Sequence, residues 1–225
     1  DDAVKQLEKH TILITAGPTF EDIDPVRFIG NRSSGKMGFA LAEETATQGA
    51  KVLLVSGPVS LPTPLGVQRI DVRSARQMHE AVMALVPSCT IFIAAAAVAD
   101  YRPVQVCLQK IKKSQSTITL ELERTADILA DVAARPDRPE CVVGFAAETE
   151  RVEEYAQAKL NKKNLDLIAA NDVSNASIGF ESENNALSVF AHAKRFEIAQ
   201  GTKRQVAHAL LAIINEHLKE KQSNV

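Results

Sequence analysis

Apolar runs alternate with amphipathic segments along most of this chain. The runs predict six strands, at Thr11–Thr15, Lys51–Ser56, Val67–Asp71, Thr90–Ala95, Cys141–Phe145 and Leu165–Ala170. Most of these runs lack the polar alternation of a half-exposed strand, which is typical of parallel strands that are covered on both faces. The segments between them have helical periodicity, so the pattern predicts an α/β fold with a mostly parallel sheet and helices on both faces.

Signals for the start and the end of helices support this Rossmann-like arrangement. Ser74 with Gln77, and Thr202 with Gln205, match the capping box that opens a helix, and Gly49 is a typical residue after a helix C-terminus. The predicted helices are Gly35–Gln48, Ser74–Val86, Thr125–Ala134, Glu150–Lys163 and a last helix that begins at Thr202.

Two segments depart from the strand–helix alternation. Thr117–Glu123 alternates strictly between polar and apolar residues, which predicts a half-exposed strand. Ala186–Ala191 and Lys194–Ile198 predict a short hairpin. We expect these strands to form a small antiparallel extension that serves dimerisation, because strand edges pair readily with a second subunit.

The composition is that of a globular protein without a strong charge bias. The formal net charge of −2 gives no general attraction to nucleic acid or to an anionic membrane, and we expect neither as a partner. The three cysteines lack C-x-x-C spacing, and no signal peptide or membrane-length apolar run is present, which favours a cytoplasmic location. We expect one domain over residues 1–225, with loose tails at 1–9 and 221–225. Because the chain starts at Asp1 without a methionine, we also expect it to be a piece of a longer polypeptide.

A glycine-rich loop at 30–38, G-N-R-S-S-G-K-M-G, opens the first predicted helix. Its backbone N–H groups and Lys36 suit a phosphate, since a helix start offers unpaired donors. The loop nearly matches a P-loop, but Met37 replaces the hydroxyl residue that would hold the magnesium ion of a nucleotide. It also lies too far beyond the first strand, so we expect it to bind an anion in another way.

Polar residues follow the predicted strands, at the sheet edge where open α/β folds bind their ligands. Asp100 follows the fourth strand, where it suits a ribose hydroxyl or a metal ion, although a cap for the next turn explains it equally well. Lys110, Lys112 and Lys113 follow on a loop. A lysine cluster is usually a solvated surface, but near a phosphate site it would neutralise charge on a transferring group.

Further along the chain, Lys159 and Lys163 project from one face of a helix, where complementing the helix dipole is the simpler explanation. Asn31 adjoins the glycine-rich loop, and its alternative role is to make a turn. From residues alone the chain is predicted to be a nucleotide-handling α/β domain of undefined chemistry. Two alternatives remain. One is a nicotinamide-dependent reductase, although the G-x-G-x-x-G motif usual in such enzymes is missing, and the other is a non-catalytic nucleotide-binding module.

Several motifs, in order along nearly the whole chain, together resemble one enzyme family, the phosphopantothenate–cysteine ligases. This family includes the synthetase domain of the bacterial bifunctional coenzyme A biosynthesis flavoprotein. The motifs are I-T-A-G-P-T at 14–19, D-P-V-R at 24–27, N-R-S-S-G-K-M-G at 31–38, S-G-P-V at 56–59, A-A-V-A-D-Y-R-P at 96–103, K-I-K-K at 110–113, V-V-G-F-A-A-E-T at 142–149 and N-L-D-L-I-A-A-N-D-V at 164–173.

The resemblance implies a reaction. CTP activates the carboxylate of 4′-phosphopantothenate as an acyl cytidylate with release of pyrophosphate, and the amine of L-cysteine then displaces CMP to form the amide. It further implies Mg²⁺, a homodimer, and fusion to a flavin-dependent decarboxylase domain in the full-length protein, although this chain has no flavin site of its own.

The resemblance also assigns residues. Lys110 resembles the lysine that serves cytidylate formation, Asn31 resembles the asparagine needed to turn over the acyl cytidylate, and Arg27 with Asn31 is expected to bind the acid. The positions implied for nucleotide binding are Lys110 with Ser33, Ser34, Gly35, Ala94, Ala95, Ala96, Asp100, Ala126, Asp127, Ile128, Leu129, Phe145, Lys159 and Lys163. The metal ligands are unknown, with Asp100 the candidate. The family often has N-P-D-I where this chain has T-A-D-I at 125–128, so the contacts of that turn are the least defined.

Overall fold

The computed structural model describes residues 5–172 and 183–225, and an eight-stranded sheet is its centre. The strand order is β12-β11-β10-β9-β6-β1-β4-β5, and the strands from β10 to β5 are parallel. The bounds are β1 Thr11–Ala16, β4 Lys51–Ser56, β5 Val67–Asp71, β6 Ile91–Ala94, β9 Cys141–Glu148, β10 Leu167–Asp172, β11 Asn184–Phe190 and β12 Arg195–Thr202. The predicted mostly parallel α/β sheet is therefore confirmed, with all six predicted strands in it.

The described part of the chain forms five α-helices. They are α1 Lys36–Thr47, α2 Ala75–Leu85, α3 Ile128–Ala133, α4 Val152–Lys162 and α5 Lys203–Ser223. The capping boxes predicted at Ser74 with Gln77 and at Thr202 with Gln205 are both formed. Since these signals depend on a few neighbouring residues, the sequence was sufficient to find them.

Helices cover both faces of the sheet, as the continuous apolar strands required. In β1, Ile12 and Ile14 belong to a core that contains Phe39 of α1 and Leu210 of α5. Leu13 points to the opposite core, which contains side chains of α2, α3 and α4. All three β1 residues are fully buried, so the central strand has no solvent-facing side.

The strand predicted at Thr117–Glu123 is wrong over most of its length. Only Leu122–Arg124 forms a strand, β8, which pairs with β7 at Tyr101–Pro103 in a separate two-stranded sheet. Ile118 and Leu120 are 64% and 40% exposed, so the apolar face of this alternation has no core to cover it. Alternation predicts a strand only where the fold also supplies a partner backbone and an apolar surface.

The predicted hairpin is confirmed, but it is continuous with the main sheet. β11 pairs antiparallel with β10, and β12 pairs antiparallel with β11. A further two-stranded sheet joins β2, Glu21–Asp22, to β3, Phe28–Ile29, and was not predicted.

The structure describes part of each segment predicted to be a loose tail, and residues 1–4 lie outside the described residues. Leu7 is fully buried and its N–H donates to the carbonyl of Gln48, so this segment packs on the end of α1. At the other end, α5 continues to Ser223. Among the described residues, no helix combines the length and the apolar character needed to cross a membrane.

Candidate functional site

The parallel strands all end at one edge of the sheet, and two adjoining cavities lie there. The larger cavity has a volume of about 480 Å³ and the smaller one about 130 Å³. Ala96 and Phe145 line both, so the two cavities adjoin each other. This position, beyond the carboxyl ends of β6 and β9, is the one expected for a ligand site in an open α/β sheet.

The larger cavity contains most of the positions that the resemblance implied for nucleotide binding. Its small alanines leave the strand backbone open to a flat ligand, while its rim is charged. The predicted residues that line it are Ala94, Ala96, Asp100, Ala126, Asp127, Ile128, Leu129, Phe145, Lys159 and Lys163. Thr15, Val98, Tyr101, Arg124 and Thr125 line it as well.

Lys159 of α4 and Lys163, which directly follows α4, form part of the charged rim. Lys163 Nζ lies 2.9 Å from the carboxylate of Asp127, and Lys159 Nζ lies 3.3 Å from that of Glu148. Burial raises the pKa of Asp127, but the hydrogen bond from Lys163 and the one from the N–H of Ala130 outweigh it, so the net pKa is lowered. Asp127 is therefore a carboxylate that caps α3 and orients Lys163 at the same time.

Thr125 joins the two halves of this cavity wall. Its hydroxyl donates to the carbonyl of Ala99 at 2.6 Å, and its N–H donates to the carbonyl of Asp100 at 2.8 Å. These bonds hold the segment before α3 against the loop after β6. The threonine that departs from the family pattern is thus a structural link in this chain.

The smaller cavity lies where α1 begins. Ser33, Ser34, Gly35, Ala95 and Ala96 line it, together with Lys36, Asn171, Asn185 and Lys203. Gly35 has a φ of +80°, which favours glycine, and a Cβ on Gly38 would lie 2.4 Å from the Cβ of Ala16. The glycines therefore allow the loop to turn and α1 to pack closely on β1.

Asn31 lies beside these cavities and links two of their walls. Its side-chain amide donates to the carbonyl of Ala97 at 2.7 Å, and its side-chain oxygen accepts from the N–H of Ser33 at 3.0 Å. The second contact is the turn-making role that was the alternative for this residue. The first contact also fixes the side chain next to Ala96, on the wall that both cavities share.

Arg27 and Lys110 lie outside both cavities. Lys110 is part of an arm formed by residues 104–121, and Arg27 lies between β2 and β3, where it contacts this arm at Ile111. The carboxylate of Asp24 is fully buried and accepts hydrogen bonds from the N–H groups of Val26, Arg27 and Ile111 at 2.7–3.0 Å. Arg27 Nη1 lies 2.6 Å from the same carboxylate. The hydrogen bond from Ile111 is the largest cause of the lowered pKa of Asp24. Asp24 therefore clamps the arm next to Lys110.

Sequence reasoning missed Lys203, Asn185 and Asp24. Asn171 directly follows the strand predicted at 165–170 and was detectable on that ground, whereas Lys203 and Asn185 come from a distant part of the chain. No local pattern connects these residues to the glycine-rich loop. Asp24 stood in a motif of the resemblance, but nothing in the sequence indicated its contact with Ile111.

Few of the described residues are placed to bind a metal ion. Over 5–172 and 183–225, no group of three or more His, Cys, Asp or Glu side chains is arranged to hold a metal ion. Asp100, the candidate ligand, is exposed and lines the larger cavity. Cys141 is buried, which raises the pKa of its thiol, so it is not a reactive thiolate.

Comparison with known proteins agrees with the motif resemblance. Residues 7–218 match the family model of the DNA/pantothenate metabolism flavoprotein C-terminal domain. The coenzyme A biosynthesis bifunctional protein CoaBC of Vibrio cholerae is 54% identical over 218 residues, which are 96% of this chain and 55% of that protein. The protein of the same name from Escherichia coli K12 is 56% identical over 190 residues, covering 83% of this chain and 47% of that protein.

The solved structure of the C-terminal domain of a CoaBC protein has the same fold. Its TM-score is 0.82 at 42% identity, and the match covers 96% of this chain and 99% of that domain. This chain spans about half the length of the curated relatives that it matches.

Proposed function

Because this chain belongs to the DNA/pantothenate metabolism flavoprotein C-terminal domain family, we propose that it joins 4′-phosphopantothenate to L-cysteine at the expense of CTP. The observation that carries this proposal is the pair of cavities that meet at Ala96 and Phe145. A reaction between a nucleotide and a second substrate needs two such adjoining spaces, so that the reacting atoms lie close together. The names of the relatives support coenzyme A biosynthesis as the pathway.

The proposed chemistry has two steps. In the first, a carboxylate oxygen of 4′-phosphopantothenate attacks the α-phosphorus of CTP, and the bond to the β-phosphate breaks to release pyrophosphate. In the second, the amine of L-cysteine attacks the acyl carbon of the cytidylate, CMP leaves and the amine loses a proton. A free carboxylate is a poor acyl donor, so the first step supplies the leaving group for the second.

We assign the nucleotide to the larger cavity. The alanines there allow a base to lie against the strand backbone, and Lys159 and Lys163 supply positive charge at the rim. Magnesium bound to a nucleotide takes one or two carboxylates and otherwise phosphate and water oxygens, and Asp100 provides one carboxylate of this kind. Bound there, the ion would neutralise charge on the phosphate oxygens.

Asn31 and Lys110 are assigned to different steps. The amide of Asn31, held beside Ala97, is suited to donate to the acyl oxygen on which charge builds in the second step. Lys110 is assigned to cytidylate formation, and it would act through the arm that Asp24 clamps. Arg27, on the other side of the same clamp, is assigned to the acid substrate.

We include a homodimer in this proposal. The arm exposes several large apolar side chains, among them Val106 and Leu108, which are 52% and 93% exposed. Exposed apolar surface of this kind is typical of a contact with another protein. The lengths of the relatives further support fusion to a flavin-dependent decarboxylase half in the full-length protein.

A pyrophosphate-release assay tests the function. The chain is mixed with Mg²⁺, 4′-phosphopantothenate and either CTP or ATP, and the amide product is identified by mass spectrometry after L-cysteine is added. We expect release with CTP that depends on the acid, and product only with L-cysteine. Nucleotide binding without release would indicate a non-catalytic module, and thermal stabilisation by NADPH but not by CTP would favour a reductase.

A further inference from the structure

Among the described residues, three cationic side chains line the larger cavity, and the assignments above use two of them. Those two, Lys163 and Lys159, lie 2.9 and 3.3 Å from the carboxylates of Asp127 and Glu148. The third is Arg124 of β8, which is exposed to solvent. Over residues 5–172 and 183–225, the guanidinium group of Arg124 pairs with no carboxylate. Arg124 therefore brings to this cavity a positive charge that the described chain does not balance by an ion pair.

The pairing of β7 with β8 places Arg124 on the cavity face of their small sheet. Tyr101 lies opposite Arg124, and Arg102 lies opposite Glu123. Residues directly opposite each other share a face, and successive residues along a strand alternate between faces. Tyr101 and Arg124 accordingly line the larger cavity, whereas Arg102 and Glu123 do not and instead form an ion pair at 3.1 Å. The sheet thus neutralises one arginine and presents the other, unpaired, to the cavity.

The backbone of Arg124 is fixed on both sides. On one side it pairs with Tyr101, and on the other it is joined to Thr125, whose N–H and hydroxyl donate to the carbonyls of Asp100 and Ala99. A ligand that binds the guanidinium group therefore has only the side chain to order, not the strand, which lowers the entropic cost of the contact.

The chemistry of the cavity favours the phosphate chain of a nucleotide as the partner of Arg124. The carboxylates of Asp100 and Asp127 line the same cavity and repel a polyanion, while Lys159 and Lys163 each share their charge with a carboxylate. A triphosphate carries several negative charges, so it needs a cation beyond these paired lysines. A guanidinium group has only donors, arranged as a planar fork that binds two phosphate oxygens at once.

We propose that Arg124 binds the phosphate groups of the nucleotide that leave as pyrophosphate. This inference rests on the proposed function, because that function supplies the triphosphate. When the bond to the β-phosphate breaks, its electron pair stays on the pyrophosphate, and the fixed charge of Arg124 stabilises the negative charge that builds there. Arg124 therefore contributes to triphosphate binding and to cytidylate formation, and it has no part in the attack by the amine of L-cysteine.

Titration calorimetry with CTP and with CMP, in the presence of Mg²⁺, tests the contact on the wild type and on Arg124→Gln. We expect CTP to bind roughly 10-fold more weakly to the variant, as for loss of a charge-assisted hydrogen bond at an exposed residue, while the affinity for CMP is unchanged. Arg124→Lys should bind CTP more tightly than Arg124→Gln, because it keeps the charge and loses only the fork. The matched control is Arg102→Gln, which changes the arginine on the other face of the same sheet and should leave both affinities unaltered.

The failure of this inference can be told apart from failure of the proposed function. Unchanged CTP binding in Arg124→Gln, equal weakening of CTP and CMP, or no recovery in Arg124→Lys would overturn the phosphate contact and leave the proposed function standing. A higher KM for L-cysteine with CTP binding intact would assign the arginine to the carboxylate of the amino acid, which also overturns it. If the wild type itself neither binds CTP nor releases pyrophosphate from it, the proposed function is refuted and this inference with it.

Discussion

Replacing Asp166 with asparagine should destabilise the fold strongly while sparing the site. Asp166 precedes β10, at the edge of the sheet opposite the cavities. Its Oδ2 accepts from Arg138 at 2.7 Å and from the N–H of Val142 at 2.8 Å, and its Oδ1 lies 3.0 Å from Lys221 and 3.4 Å from His217. The carboxylate thereby joins β9, β10 and α5 through one buried charge.

The size of the effect follows from burial. The Asp166 side chain is only 10% exposed, and asparagine would turn an amide donor toward other donors while removing the counter-charge for Arg138 and Lys221. Removing one partner of a buried ion pair costs about 3–5 kcal/mol, and we expect the lower end, about 3 kcal/mol, because part of the network reaches solvent. For a protein of this size that corresponds to a decrease in Tm of roughly 6–12 °C.

The loss should depend on pH in a defined direction. Burial raises the pKa of Asp166, but hydrogen bonds from His217, the N–H of Val142 and Lys221 outweigh it, so the net pKa lies well below the ordinary value of 3.8. A carboxyl with a lowered folded-state pKa contributes stability above its unfolded-state pKa and loses it as the pH falls toward the folded-state value. The stability difference between wild type and variant should therefore be full at pH 7 and shrink below about pH 4.

Urea and thermal unfolding, followed by circular dichroism at pH 7 and at pH 3.5, measure these differences. The matched control is Asp137→Asn, because Asp137 forms a surface ion pair with Arg135 and should affect stability little. If Asp166→Asn unfolds at the same urea concentration as the wild type at pH 7, the network does not stabilise the fold as argued. Pyrophosphate release well below the Tm should stay at the wild-type rate, since the replaced group is remote from both cavities.

Three further variants test the site. Asn31→Ala should still release pyrophosphate but accumulate the acyl cytidylate, and normal amide turnover would remove Asn31 from the second step. Lys110→Gln should slow single-turnover cytidylate formation by at least roughly 10-fold, as for loss of a charged contact. The control variant Lys113→Gln should form the cytidylate at the wild-type rate. An undiminished rate in Lys110→Gln would refute the assignment of Lys110. Asp24→Asn should release the arm at Ile111 and lower kcat with the folded state retained by circular dichroism, and an unaltered kcat would mean that the clamp does not position Lys110.

The strand and helix pattern was predictable because it depends on neighbouring residues. The apolar runs at 11–15 and 51–56 are typical of covered parallel strands, and the structure pairs them in that way. The strand predicted at 117–123 did not form over residues 117–121. Alternation of polar and apolar residues describes one segment and does not show whether a partner strand is available to it. Its apolar residues Ile118 and Leu120 face solvent instead.

Part of the candidate site could likewise be predicted from the sequence, and part could not. The spacing of Lys159 and Lys163 predicts that both project to the same side at the end of a helix, and they do line one cavity. Asp100 and Phe145 reach that cavity because parallel strands end at a common edge, which the strand pattern alone implied. The motif resemblance then added a chemistry that no spacing could supply.

By itself, the sequence determined the parallel sheet, the capped helices and the edge of the sheet at which the two cavities lie, since each follows from local periodicity and strand direction. Only the tertiary structure decided that Lys203 lies in the same cavity as Lys36, and that Asp24 clamps the arm at Ile111. These contacts join segments far apart in the chain. They arise when the buried strands and helices pack, and no local pattern of residues specifies them.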